Sequence, residues 1–166
     1  MKFIPEYRFN AFNEASADFL ISIGIKGIVL DIDNTLEPYE NPVPSEPVLR
    51  WFSDLEAHGI KYSIVSNNNR QRVEDFAKGL NIPYFYKSGK PFKRCVLRAM
   101  EKMGTDKTNT IFMGDQILTD VLAAHRAQIP AILVPPIKDK RDALTRFKRW
   151  IEGIILKGYD KKEENK

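Results

Sequence analysis

At 166 residues, 43% of them hydrophobic and 29% charged, the chain is sized for one folded unit with a real core and has the composition of an ordinary soluble globular protein. Its net charge of +4 is confined to one end: residues 1–137 carry 16 basic and 16 acidic side chains, and residues 138–166 carry 10 and 6, which excludes a basic stripe over the whole fold and hence a general nucleic-acid surface. The single cysteine, Cys95, excludes an internal disulfide, and the apolar region from Phe19 to Leu30 is interrupted by Ser22, Gly24, Lys26 and Gly27 and is too short to span a bilayer.

In chain order, the pattern predicts a leading helix over about Asn13–Ile23, a strand at Gly27–Asp31, a helix at Ser45–Ala57, a strand at Ile60–Ser66 and a helix at Arg70–Lys78. A strand at Tyr84–Tyr86, a helix at Pro91–Met103, a strand at Thr110–Met113, a helix at Thr119–Ala127 and a strand at Ala131–Val134 follow, and a last helix covers about Lys140–Leu156. Gly59, Gly79 and Gly104 each stand where a helix should stop. Such alternation implies an α/β, Rossmann-like three-layer sandwich around a parallel sheet of about five strands. Residues 1–160 read as one domain, and 161–166 read as a disordered tail. With no signal-peptide h-region near Glu6, the expected location is cytoplasmic.

The chemistry collects where strands are predicted to end. Gly27-Ile-Val-Leu-Asp-Ile-Asp-Asn-Thr-Leu36 runs an apolar strand into two carboxylates, Asp31 and Asp33, followed by Asn34 and Thr35. Ligands of open α/β sheets gather at that edge, although an acidic turn is the simpler reading of the segment alone. The second strand ends in Ser66-Asn67-Asn68-Asn69, suited either to a phosphate cradle or to a helix N-cap. Lys90 precedes Pro91, which suits the first turn of a helix and would leave the lysine beside the same edge; an ordinary solvated lysine is the alternative. The fourth strand runs into Gly114-Asp115, with Asp120 in the first turn of the next helix, a place where an acid complements the helix dipole. Asp31, Asp33 and Asp115 offer hard oxygen ligands suited to Mg²⁺. His58 and His125 are isolated near helix ends and make no zinc set, and Cys95 has no arginine six positions on, that place being Glu101.

The ordered set DIDNTL at 31–36, Ser66-Asn67, Lys90-Pro91 and GDQILTD at 114–120 resembles the four motifs of the haloacid dehalogenase (HAD) superfamily of phosphatases. Asn34, the Ser-Asn-Asn run and the GDQ-x-x-TD form resemble subclass IIIA and, within it, the YqeG-like group, which is similar to mitochondrial phosphatidylglycerophosphate phosphatases. The resemblance implies that Asp31 is the nucleophile and Asp33 the general acid and base. It implies Mg²⁺ on Asp31, the Asp33 carbonyl and Asp115, with phosphate held by Ser66, backbone around Asn67, and Lys90. Asn34, Thr35, Gly114 and Asp120 would support these groups, Asp120 by orienting Lys90 or a metal-bound water.

Neither Glu37–Pro44 nor the stretch between Asn69 and Lys90 is large enough to fold as a cap domain, so the site should be open. That favours a bulky substrate, a lipid headgroup presented by a membrane, or closure by a second subunit. In the last helix, Leu144, Phe147, Ile151, Ile154 and Ile155 share one face, with Arg141, Lys148 and Arg149 elsewhere, and Trp150 suits an interface or a core equally. That helix packs on the sheet or makes peripheral contact with anionic lipid at the inner face of the membrane. The expected activity is hydrolysis of a phosphomonoester, phosphatidylglycerophosphate being favoured over a soluble sugar, nucleotide or protein phosphate. A response-regulator receiver fits the acid spacing poorly, and a partner-binding protein on a retained HAD scaffold would be expected to have lost Asp33 or Lys90.

Overall fold

Four consecutive residues with no exposed face, Gly27-Ile-Val-Leu30, form the strand around which the molecule is organised. The computed structural model describes residues 3–138, 153–155 and 157. Its strands are β1 (Tyr7–Arg8), β2 (Gly27–Leu30), β3 (Lys61–Val65), β4 (Tyr84–Phe85), β5 (Thr110–Gly114) and β6 (Ala131–Leu133). They form one parallel sheet in the order β1-β6-β5-β2-β3-β4. The helices are α1 (Ala17–Ser22), α2 (Glu46–Ala57), α3 (Arg70–Ala77), α4 (Arg94–Met103) and α5 (Leu122–Arg126).

A parallel sheet needs apolar side chains on both faces, and alternate residues of each strand supply them. Ile28, Leu30, Tyr62, Ile64, Ile111 and Met113 pack in one layer with Leu20 of α1, Trp51, Phe52 and Leu55 of α2, and Phe76 of α3. Val29, Val65 and Phe112 point the other way, onto Val96, Ala99 and Met103 of α4 and Ala123 and Ala124 of α5. The three-layer α/β expectation holds, and among the described residues no separate cap domain is built.

The sheet has one strand more than the five expected. Tyr7 and Arg8 lie opposite Ile132 and Leu133, a pairing too short to leave a periodic signal. The leading helix is also shorter than predicted: Phe12–Glu14 is a 3₁₀ turn, and Ser16 then caps α1 through a 3.1 Å bond from the Phe19 N–H. Pro91 does not open α4. It lies in a turn closed by the Phe92 N–H on Gly89 O at 2.9 Å, and the helix begins at Arg94. The helix expected from Thr119 is preceded by a wider π turn over Ile117–Val121. Gly104 ends α4 in the left-handed conformation, φ 67°, as a helix-stopping glycine should.

From β2 the chain winds outward through β3 and β4, then returns to build β5 and β6 on the other side of β2. The crevice between β2 and β5, at their carboxyl ends, is therefore a topological switch point. The helix expected over 140–156 lies outside the described residues except at 153–155, which are helical, so the packing or membrane contact of Leu144, Phe147, Ile151, Arg141, Lys148, Arg149 and Trp150 lies outside them too. The tail at 161–166 is likewise outside the described residues. Among the described residues, no helix is long and apolar enough to cross a membrane.

Candidate active site

The end of β2 is a sharp reversal. The Asp31 N–H continues the ladder to Met113 O at 3.1 Å. Thr35, Leu36 and Glu37 then all direct their N–H groups at Ile32 O, between 2.9 and 3.2 Å. Asn34 sits at φ 65°, a left-handed conformation that asparagine tolerates better than most residues. The chain thus turns immediately after the strand, as the polar pair Asn34-Thr35 permits. The backbone oxygen of Asn34 accepts from the Ile137 N–H at 3.0 Å, which ties the reversal to the segment after β6. Glu37 adds a support that the sequence did not betray. Its buried carboxylate accepts from the Ser45 N–H at 2.6 Å and the Asn41 side chain at 2.9 Å, closing the following loop against the start of α2.

At the end of β3 the helix cap is Asn69, which accepts from the Arg72 N–H at 2.9 Å, so Ser66 is not needed for that task. The Ser66 hydroxyl instead accepts from the Asn68 N–H at 3.1 Å and faces the cavity. Asn67 binds the segment carrying Lys90. Its Oδ1 accepts from the Ser88 hydroxyl at 2.9 Å and the Lys90 N–H at 2.8 Å, and its Nδ2 donates to Lys90 O at 3.0 Å. The side chain of Asn67 is thus a brace, and its expected contribution to phosphate binding falls to the backbone around it.

Lys90 is no solvated loop lysine. Its side chain is 2% exposed, with Nζ 2.8 Å from Asp31 Oδ1 and 2.8 Å from Asp120 Oδ1. Burial opposes the ammonium, but the Asp120 and Asp31 carboxylates outweigh it and hold the lysine cationic well above its usual range. For Asp31, burial dominates over the Lys90 attraction, and the neighbouring Asp120 and Asp33 add to it, so its carboxyl is pushed up to about 6. The other oxygen of Asp120 accepts from the Gln116 N–H at 3.0 Å. Asp120 therefore meets Lys90 from the π turn, with one oxygen on the ammonium and the other on the Gln116 N–H. Gly114 makes room for this, because a Cβ there would collide with the Asp120 side chain. Gly114→Ala is expected to destabilise the protein by about 1–3 kcal/mol through overpacking, read as a lower urea midpoint with an unchanged slope.

Asp115 stands beside Asp31 across the switch point and accepts from the Thr35 hydroxyl at 3.4 Å. One carboxylate oxygen from each of Asp31, Asp115 and Asp120 falls within 4.8 Å of the others. When all three are ionised, they outnumber the single ammonium of Lys90 by two charges, and their oxygens are hard ligands. The donor set therefore fits a divalent, oxygen-preferring cation of the Mg²⁺ kind. The Asp33 side chain is not in this cluster, which leaves its carbonyl as the atom it could contribute.

Asp33 instead meets Arg72 and Asn68, contacts that the sequence does not disclose. Its Oδ1 lies 3.0 Å from Arg72 Nε, and its Oδ2 accepts from Asn68 Nδ2 at 2.7 Å. Nothing in the sequence distinguishes Arg72 from a solvated arginine in the first turn of a helix. The resulting cavity of about 340 Å³ opens to solvent between Asp31, Asp33, Ser66 and Lys90 on one side and Tyr39, Gln116 and Thr119 on the other. His58 and His125 are remote from it, contacting Asp54 O and Glu6 respectively.

Comparison with known proteins is consistent with this geometry. A family described as "Haloacid dehalogenase-like hydrolase" matches residues 25–134. The chain is 41% identical over 138 residues to the protein named "Probable phosphatase YqeG" of Bacillus subtilis, covering 83% of this chain and 80% of that protein. Among solved structures, CbbY of Rhodobacter sphaeroides in complex with phosphate superposes with a TM-score of 0.55 at 11% identity, covering 71% of this chain and 89% of that one. NagD of E. coli K-12 gives 0.55 at 14% identity, covering 69% and 90%. At those identities the two structures speak for the fold alone.

Proposed function

This chain belongs to the haloacid dehalogenase-like hydrolase family, and from that premise we propose that it is a Mg²⁺-dependent phosphomonoester hydrolase that works through an aspartyl-phosphate on Asp31. The observation that carries the reading is the buried Asp31–Lys90–Asp120 array at the mouth of a polar cavity, beside Asp115. A carboxylate placed there is a nucleophile in want of a phosphate. Lys90 and the backbone around Ser66 and Asn67 supply positive charge and donors where phosphoryl oxygens would sit.

In the first half-reaction, Asp31 attacks phosphorus while the bond to the ester oxygen breaks and Asp33 gives that oxygen its proton. In the second, a water attacks phosphorus, Asp33 takes the water's proton, and Asp31 is released with inorganic phosphate. Dividing one hard displacement into two easier ones is the gain of covalent catalysis. Asp31, Asp115 and the Asp33 carbonyl would hold Mg²⁺, which would supply charge neutralisation between the phosphate and its attacker. Asp120 keeps Lys90 in place, and Asn34, Thr35 and Gly114 hold the backbone that presents the acids.

The favoured substrate is phosphatidylglycerophosphate, met at the cytoplasmic face of a membrane. Two features support it. Among the described residues no cap shields the cavity, and exposed apolar side chains lie on the segments that frame it: Tyr39 and Val43 after β2, Phe92 beyond Lys90, and Ile137 beside Asn34. The resemblance to mitochondrial phosphatidylglycerophosphate phosphatases points the same way, as would anchoring by the basic segment from residue 138 onward. The test is phosphate release from phosphatidylglycerophosphate in anionic vesicles against a panel of soluble sugar, nucleotide and protein phosphates. The expected result is faster turnover of the lipid by about tenfold or more in kcat/KM, or roughly 1.4 kcal/mol of discrimination. Equal or better turnover of a soluble ester would replace the lipid by that ester.

A further inference from the structure

Both oxygens of the Asp33 carboxylate are taken by protein groups, Oδ1 by Arg72 and Oδ2 by Asn68. Arg72 is itself unusual. Its guanidinium is 8% exposed, Nη1 donates to Pro42 O at 3.0 Å, and Nη2 is buried without a hydrogen-bond partner among the described residues. Its backbone N–H is fixed by the Asn69 cap. One side chain thus joins Asp33, the loop after β2 and the first turn of α3. A buried guanidinium with an unmet N–H is a poor device for stability, since an apolar residue of similar volume would serve as well or better. A planar fork, by contrast, fixes the direction of a carboxylate in a way that a flexible ammonium cannot.

We propose that Arg72 is the positioning residue for Asp33, setting the direction from which a proton reaches the leaving oxygen. This rests on the reading of Asp33 as general acid and base. Arg72 acts only through Asp33: the proton passes from the Asp33 carboxyl to the ester oxygen as the phosphorus–oxygen bond breaks, and the carboxylate left behind returns to the guanidinium and to Asn68. The arginine is therefore needed in proportion to the proton's importance. An alkoxide leaving group cannot depart without one, whereas p-nitrophenolate can.

The experiment compares kcat/KM for glycerol 3-phosphate and p-nitrophenyl phosphate in wild type, Arg72→Gln, Arg72→Lys and Asp33→Asn. That ratio reports steps up to formation of the phospho-enzyme, before Asp33 acts as base. Arg72→Gln is expected to lose about 10²-fold on glycerol 3-phosphate, the span of general acid catalysis, and less than about threefold on p-nitrophenyl phosphate. Arg72→Lys, which keeps the charge, should recover only part of the loss and also provides the readout if Arg72→Gln does not fold. Equal losses on the two esters, or none, would make Arg72 a structural anchor and overturn the proposal. If Asp33→Asn itself shows no dependence on the leaving group, the acid assignment has failed rather than the role of Arg72.

Discussion

Asp31→Asn is expected to abolish phosphate release while making the metal-free protein more stable. The activity loss, on the order of 10⁴-fold or more, follows from removal of the attacking oxygen, which no neighbour can replace. The gain in stability follows from the cost of the native carboxylate. An aspartate in the unfolded chain titrates near 3.8, and in the folded protein burial pushes Asp31 up to about 6. The folded state therefore binds this proton more tightly than the unfolded state. The stability tied to it is greatest below pH 3.8, falls as the pH rises through the interval, and has been lost above about 6. Above pH 6 the ionised carboxylate costs up to about 3 kcal/mol, which a neutral amide of similar shape avoids. Thermal unfolding in EDTA should accordingly show a higher midpoint for Asp31→Asn at pH 8 and a much smaller difference near pH 4. A midpoint at or below wild type at pH 8 would mean that the Lys90 contact outweighs the burial of the charge. Measured phosphate release from p-nitrophenyl phosphate with Mg²⁺ checks the other half, and normal turnover by the variant would remove Asp31 from the role of nucleophile.

Lys90→Met should have the opposite effect on stability and a smaller loss of activity. Its ammonium stands 2.8 Å from carboxylate oxygens of both Asp31 and Asp120, and all three side chains are buried. Removing the cation leaves two mutually repelling acids without a counter-charge. Breaking a buried pair in this way costs about 3–5 kcal/mol, far more than an exposed ion pair is worth. Urea denaturation at pH 8 should show that loss, and the double variant Lys90→Met/Asp31→Asn should regain much of it by removing one of the stranded charges. Activity should fall by about 10²–10³-fold, because a donor aimed at developing charge is gone. A Lys90→Met protein that unfolds at the wild-type urea concentration would show that the array contributes nothing to the fold.

What the sequence disclosed and what it withheld differ in physical kind. Fully apolar strands such as Gly27–Leu30 and glycine stops such as Gly104 are local signals, and the α/β architecture was read from them. Asp31, Ser66 and Asp115 were legible because each follows a strand directly, and Asp33 and Lys90 because each lies a few residues beyond one, so that the topology carries them toward one edge. Arg72, Asn68 and Glu37 were not legible, since their significance lies in contacts across 39, 35 and 8 positions. In the sequence Arg72 is a basic residue near a helix start like many others. The burial of Lys90 was hidden for the same reason: only the fold places Asp31 and Asp120 on either side of it. Pro91 misled because its preference for a first helical turn is a tendency, and the Asn67 brace on Lys90 places it in a turn instead.

The two residues of β1 also protect the molecule from its neighbours. β6 would otherwise be an edge strand, offering a row of bare N–H and C=O groups to any chain with a matching edge. Tyr7 and Arg8 occupy part of that row, the Phe9 N–H reaches Leu133 O at 3.1 Å, and the Glu6 carboxylate accepts from the Ala131 N–H at 2.8 Å. Glu6 is also held by His125 at 3.1 Å. A protein trimmed of its first ten residues would keep every group of the proposed site and still expose a template for strand addition. Its failing would be self-association and precipitation, with the chemistry intact in whatever stayed dissolved.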